Sequence, residues 1–357
     1  MSKILFYINA INGGGAERVM VNLAKYFSEN GYETMLVTSF RDTWEYPIGL
    51  KVHRLSLEEN EIKQSRMKRN LSRIKKLRLI CKTEKPDILI SFMEEPNFRT
   101  IIATRGLPVK TLVSVRNDPN KEYAGKLGYL VGKVLLPMAD GCVFQTVDAQ
   151  KWFPTKLQKK SRIICNAVKE EFYYINRKPC RGEIVTCGRL EEQKNHAMLI
   201  TAFSKVSKKI PFATLKIYGD GTLHDRLLSL IDNLELSDKV FLMGATSDVG
   251  RALQTADLFV LSSDFEGMPN ALMEAMAIGV PCISTDCPCG GPRDLLRGNA
   301  KWGLVPINDP ICMANKIEEY LNGKITQDTI TKELAEGFKP AIINSQWKNY
   351  VDELIRR

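Results

Sequence analysis

The chain has 357 residues, 44% of them apolar and 26% charged, with a formal net charge of +10. These are globular values with room for two domains of ordinary size, and no apolar run approaches the roughly 20 residues of a membrane-spanning helix. The charge is uneven: residues 1–175 carry +11 and residues 176–357 carry −1. The nine cysteines are scattered and often lie inside apolar runs, so they read as reduced and mostly buried. Cys287-Pro288-Cys289 is too short and isolated for a zinc site. His53, His196 and His224 form no visible triad or metal pair. Residues 1–10 hold one Lys in a strand-like run and do not read as a secretory signal, so a cytoplasmic protein is expected.

In chain order, residues 3–9 read as a first strand, Gly13-Gly14-Gly15 as a turn, and 16–27 as a helix with Met20, Leu23, Ala24 and Phe27 on one face. Strand, glycines and helix together have the form of a phosphate cradle. There is no G-x-G-x-x-G, so a nicotinamide site is a weak reading, and a plain tight turn stands as the alternative. Further strands are expected at 34–39, 87–92, 109–115 and 141–145. Residues 63–78 hold Lys63, Arg66, Lys68, Arg69, Arg73, Lys75, Lys76 and Arg78, with Met67, Leu71, Ile74 and Leu77 at helical spacing. Such a basic amphipathic helix suits an anionic membrane surface or nucleic acid, or is a solvated face packed on its own domain. Nucleic-acid binding would interleave aromatics with the charge, and residues 63–82 contain none.

Glu94, in Ser91-Phe92-Met93-Glu94-Glu95-Pro96-Asn97, and Arg116 and Asn117, in Ser114-Val115-Arg116-Asn117-Asp118-Pro119, follow expected strands. Loops there line the crevice of a parallel sheet, which makes these residues candidate acceptor contacts; ordinary loop polarity is the alternative. Residues 162–167 look like a last strand, and the polar stretch after them marks a boundary. A second α/β series runs through strands at 183–187, 213–218, 239–243, 258–261 and 281–285, and residues 342–355 read as a helix. The expected division is a first domain over 1–167, a linker over 168–182, a second domain over 183–337 and a terminal helix over 338–357.

The most informative stretch is Asp264-Phe265-Glu266-Gly267-Met268-Pro269-Asn270-Ala271-Leu272-Met273-Glu274. A buried-strand pattern precedes it and a helix pattern follows. The amides and positive dipole end of a helix start suit an anion, while Glu266 and Glu274 can accept bonds from sugar hydroxyls. Two solvated surface glutamates are the bland alternative. A second loop, Gly188-Arg189-Leu190-Glu191-Glu192-Gln193-Lys194-Asn195, offers an Arg fork and a Lys point charge five residues apart, which suit two phosphates.

F-E-G-x-P-x-x-x-x-E-A-x-A-x-G-x-P and G-R-L-x-x-x-K-N resemble the retaining glycosyltransferases of family 4. The resemblance implies an α/β protein of GT-B fold: two facing Rossmann-like domains, with a C-terminal helix crossing back to the first. It implies that Arg189 and Lys194 bind the donor pyrophosphate, that Glu266 contacts the donor sugar, and that Glu274 holds the ribose hydroxyls. Met268, Pro269, Asn270 and Ala271 would hold phosphate and sugar oxygens. Gly219, in Tyr218-Gly219-Asp220-Gly221, would close on the nucleotide, and the loop from Gly244 would meet the base. Gly14, Gly15 and Arg18, in G-G-A-E-R, would sit in the cleft facing donor and acceptor. The implied catalytic set is Glu266, Arg189 and Lys194.

No Asp-x-Asp pair occurs, so activity without metal or any other cofactor is expected. Many family members carry a His where this chain has Arg116-Asn117-Asp118; whether Arg116 or Asn117 orients the sugar is left open. G-G-A-E-R with S-F-x-E-x-x-N resembles transferases of surface-polysaccharide and lipid-linked oligosaccharide assembly. That implies a nucleotide-sugar donor, with a UDP-sugar favoured, and a polyprenyl-diphosphate-linked glycan acceptor. The enzyme would then lie on the anionic inner face of the plasma membrane, with no nucleic-acid partner. A GT-B sugar-nucleotide epimerase is the rival enzyme, and a catalytically dead nucleotide-sugar sensor a third reading.

Overall fold

The computed structural model describes every residue except 13, 60–64, 247 and 326–329. The chain forms two compact units, Met1–Ala167 with Ala341–Arg357, and Val168–Pro340. Gly13 and Lys63 of the sequence reading lie outside the described residues.

The first unit is a seven-stranded sheet of β1 (Lys3–Ile8), β2 (Glu33–Thr38), β3 (Val52–Ser56), β4 (Ile88–Phe92), β5 (Lys110–Ser114), β6 (Gly141–Phe144) and β7 (Ser161–Ile163), in the order β3-β2-β1-β4-β5-β6-β7. Every pairing is parallel. Its helices include α1 (Gly15–Glu29), α2 (Arg66–Glu84), α3 (Glu94–Thr104) and α4 (Gly125–Leu130). Apart from Lys3 and Lys110 at their starts, the middle strands are buried, as strands covered on both faces must be. The second unit is a six-stranded parallel sheet of β8 (Glu183–Cys187), β9 (Thr214–Tyr218), β10 (Val240–Gly244), β11 (Leu258–Leu261), β12 (Cys282–Thr285) and β13 (Leu304–Val305), in the order β10-β9-β8-β11-β12-β13. Its helices include α5 (His196–Lys209) and α6 (Asn270–Ile278). Both units therefore have Rossmann-like topology, with strand order reversing between β1 and β4 and between β8 and β11.

The last helix, α7 (Pro340–Arg356), completes the core of the first unit rather than the second. Ile343, Trp347, Tyr350, Val351 and Leu354 are buried there, with Trp347 5.7 Å from the Phe92 ring. The Tyr350 hydroxyl accepts the Cys142 N–H at 3.1 Å and donates to the Lys160 carbonyl. Residues 168–182 are packed on the second unit. Phe172 and Tyr173 are buried, and Arg177 donates to the carbonyls of Gly279 at 3.0 Å and Ala256 at 3.1 Å.

The basic helix differs from its sequence reading. It runs on to Glu84, and its inward row is Arg73, Leu77 and Cys81, while Met67 and Leu71 of the expected apolar stripe are exposed. The reason is an ion pair. The Arg73 guanidinium meets the Glu58 carboxylate at 2.7 Å with both side chains sealed from solvent, and it lies over the Phe40 ring. A cation thus takes a core position that spacing alone gives to an apolar residue. Strands β3 and β13 were not foreseen: β3 is a half-exposed edge strand containing His53 and Arg54, and β13 has two residues.

Candidate active site

In an open parallel sheet the crevice at the carboxyl ends of the strands, where the order reverses, is the natural ligand site. In the second unit the loops at that point are those after β8 and β11, which carry Arg189, Lys194 and Glu266. The structure brings two of these together: the Lys194 ammonium meets Glu266 Oε1 at 2.5 Å, with side-chain exposures of 17% and 9%. The Ser263 hydroxyl donates to the same oxygen at 2.7 Å. The loops are further tied by Asp264 N–H to the Gln193 carbonyl (2.9 Å), Gln193 Nε2 to the Phe265 carbonyl (2.9 Å) and the Ser262 hydroxyl to the Lys194 carbonyl (2.8 Å).

Asn195 explains the local turn. It sits at φ 45°, a left-handed conformation that Asn tolerates better than most residues. Its side chain caps α5 by accepting the Met198 N–H at 3.2 Å and donates to Asp264 at 2.8 Å. His196 follows, buried against the Gly188–Arg189 backbone. Burial pushes its ring down to about 4, with the Lys194 charge adding, so it is neutral. Arg189 itself is exposed.

Glu266 and Glu274 are both buried, which removes the reading of two solvated charges. Glu274 lies on α6, whose N-terminus at Asn270 carries no side-chain cap, and the positive end of a helix suits an anion. Met268 and Pro269 are buried, and Asn270 and Ala271 are half-buried. The glycines work by close packing. A Cβ on Gly219 would fall 1.9 Å from the Gly188 carbonyl oxygen, and one on Gly291 would fall 1.8 Å from that of Gly267. Gly219 therefore presses the loop after β9 against the one bearing Arg189, and Gly291 presses the loop after β12 against the one bearing Glu266. Gly244 ends β10 at φ 73°.

In the first unit, Gly14 is the N-cap residue of α1, Gly15 its first residue, and Arg18 stands one turn in. Glu94 opens α3, three-quarters buried and 3.9 Å from Arg66. Burial raises its carboxyl above the ordinary value. Arg116 is committed internally: it donates to Asn166 and stacks on Phe92 at 4.5 Å, and burial brings it down to about 10. Asn117 accepts the Asp118 N–H at 2.9 Å. Asn97 welds β4 to β5, accepting from Ser91 at 2.9 Å and donating to the Ser114 carbonyl at 2.9 Å. Sequence reading missed Ser263, His196 and Gly291, whose only signal was their adjacency to the recognised loops. Among the described residues, no three His, Cys, Asp or Glu side chains converge as metal ligands, and no helix is long and apolar enough to cross a membrane.

Residues 171–336 match the family described as Glycosyl transferases group 1, and residues 13–172 match Glycosyltransferase Family 4. The chain is a glycosyltransferase whose two halves resemble these two families. This glycosyltransferase is 31% identical over 251 residues to an uncharacterized glycosyltransferase of Methanocaldococcus jannaschii, covering 63% of this chain and 62% of that one. It is 27% identical over 364 residues to the GalNAc-alpha-(1->4)-GalNAc-alpha-(1->3)-diNAcBac-PP-undecaprenol alpha-1,4-N-acetyl-D-galactosaminyltransferase of Campylobacter jejuni, covering 99% of each. Its fold is that of Anabaena HepE in complex with UDP-glucose, at a TM-score of 0.81 and 17% identity over 99% of this chain and 100% of that one. The glycosyltransferase thus has the GT-B architecture, with its two Rossmann-like units.

Proposed function

We propose that this glycosyltransferase moves a sugar, with retention, from a UDP-sugar to a polyprenyl-diphosphate-linked oligosaccharide. The observation that carries the reading is the full-length similarity to the Campylobacter enzyme, which is named for such an acceptor. In the second unit, Arg189, Lys194 and the N-terminus of α6 hold the donor diphosphate. Lys194 has three donor hydrogens and spends one on Glu266, so it serves carboxylate and phosphate together. The anomeric C–O bond breaks first, and its electron pair leaves with the diphosphate, whose charge these groups stabilise. The acceptor hydroxyl attacks the same face and passes its proton to the departing phosphate oxygen. Glu266 contacts the sugar, and Glu274 the ribose hydroxyls. Acceptor contacts come from Arg18, Glu94 and Asn117, with Arg116 shaping the loop from behind. The diphosphate is neutralised without metal. The enzyme works at the anionic inner face of the plasma membrane, held in part by α2, which has eight Lys and Arg against one acidic residue.

The test is a donor screen by hydrolysis and thermal shift with UDP-, GDP- and ADP-sugars, followed by transfer to a polyprenyl-diphosphate-linked oligosaccharide. A UDP-sugar should be hydrolysed slowly and transferred with the α configuration kept. Transfer with inversion, or to soluble acceptors alone, would remove the mechanism or the acceptor.

A further inference from the structure

A surface helix normally turns its apolar stripe to the core and its polar face to water. Residues 125–138, comprising α4 and the turns that continue it, do the opposite. Gly128, Gly132 and Leu136, four apart, face inward and are buried. The two glycines are there because nothing larger fits. A Cβ on Gly128 would lie 2.6 Å from the Tyr123 backbone, and one on Gly132 would lie 2.6 Å from the Trp152 ring. Leu127, Leu130 and Val134 point outward, 74%, 54% and 57% exposed, with Met138 beyond them. The apolar face is therefore turned to solvent, over a seat too tight to take it.

Within the segment the charge is of one sign. Residues 123–138 contain Lys126 and Lys133 and no acidic residue. Arg105, at the end of α3, reaches the Met138 sulfur at 3.6 Å beside the exposed Ile102. The other side of α3 packs on the basic helix α2. A second copy of the chain would set these cations against one another. The Lys133 ammonium is held on the Trp152 ring and carbonyl, and an anionic bilayer complements the rest: hydrocarbon for the leucines and phosphates for Lys126 and Arg105.

We propose that residues 125–138 insert into the interface of an anionic bilayer, with Leu127, Leu130 and Val134 below the headgroups and the flanking cations at the phosphates. This rests on the reading of a membrane-borne acceptor and adds a hydrophobic anchor to the electrostatic one. An interfacial apolar contact survives salt, whereas a purely electrostatic one is screened away.

The experiment is sedimentation of the full chain with phosphatidylglycerol/phosphatidylcholine vesicles at low and high salt. Wild type is compared with Leu127→Ser/Leu130→Ser/Val134→Ser, whose positions are all exposed, so the fold is retained. Wild type should keep measurable binding at high salt, and the triple variant should bind more than about 1,000-fold more weakly there, the scale of withdrawing three aliphatic side chains from hydrocarbon. In a second variant, Leu130→Trp, new fluorescence should be quenched by lipids brominated on the acyl chains. Equal sedimentation of wild type and triple variant, complete release of wild type by salt, or an unquenched Trp overturns the proposal. So does a vesicle-independent dimer that the triple variant abolishes, since the face would then belong to a second copy. Donor hydrolysis without vesicles is measured in parallel. If no donor is hydrolysed by either protein, the substrate reading fails while the sedimentation result stands.

Discussion

Removing Lys194 should damage the fold as well as the chemistry, and removing Arg189 should damage the chemistry alone. Lys194 and Glu266 form a 2.5 Å pair with 17% and 9% of their side chains exposed. Stripping one partner from a buried pair costs about 3–5 kcal/mol, because the other charge is stranded. Here the Ser263 hydroxyl keeps its 2.7 Å bond to the stranded carboxylate. Water also reaches part of Lys194, so Lys194→Met should sit near the lower end, at about 3 kcal/mol. For a unit of this size that lowers the midpoint of unfolding by about 6–12 °C. Lys194→Met/Glu266→Gln should recover most of the loss, since no bare charge remains. Arg189→Ala, at an exposed position, should change stability by less than about 0.5 kcal/mol yet slow turnover about 100-fold. Calorimetry on these three variants and on Glu266→Gln alone, alongside donor-hydrolysis rates, separates these effects. If Lys194→Met melts with wild type, or if the two substitutions simply add, the pair is not the device described and the reasoning fails.

Three further outcomes are expected. Arg73→Met should destabilise the first unit by about 3–5 kcal/mol by stranding Glu58, whereas Lys68→Glu and Lys75→Glu on the exposed face should leave stability unchanged and weaken vesicle binding; denaturant titration and sedimentation check the two halves. Burial pushes the Glu122 carboxyl up to about 8, from an ordinary value near 4.5. A raised folded value means that the stability Glu122 contributes is full below its unfolded value and is lost as pH climbs through the folded one. Glu122→Gln should therefore raise the melting temperature relative to wild type more at pH 8.5 than at pH 5, and equal shifts at both would refute the assignment. Turnover should survive EDTA, and a strict Mg²⁺ or Mn²⁺ requirement restored by adding metal back would overturn the metal-free mechanism.

Both α/β series and the donor loops were legible because their signals are local. A buried parallel strand reads as an unbroken apolar run, and F-E-G-x-P and G-R-L-x-x-x-K-N place charge and glycine at fixed offsets. What stayed hidden depends on partners distant in sequence. Nothing near Arg73 announces that Glu58 neutralises it inside the core, so periodicity put Met67 and Leu71 in its place. Nothing in Ser263 marks it as the second bond to Glu266. Arg116 reads as a free loop cation, and only Phe92 and Asn166, from other elements, show it to be internal. Gly128 and Gly132 look like helix breakers until Tyr123 and Trp152 are seen to press against them.

The placement of α7 also sets an order of events during synthesis. Chains of several domains generally finish the N-terminal one first as they leave the ribosome. Here that order is inverted. The second unit is continuous from Val168 to Pro340 and can close on itself as soon as it emerges. The first unit, although made earlier, must wait with Phe92 and Ile164 uncovered until Trp347 and Val351 have followed the whole second unit off the ribosome. A ribosome that stalls before α7 is made therefore releases a finished second unit tethered to an open, adhesive first one.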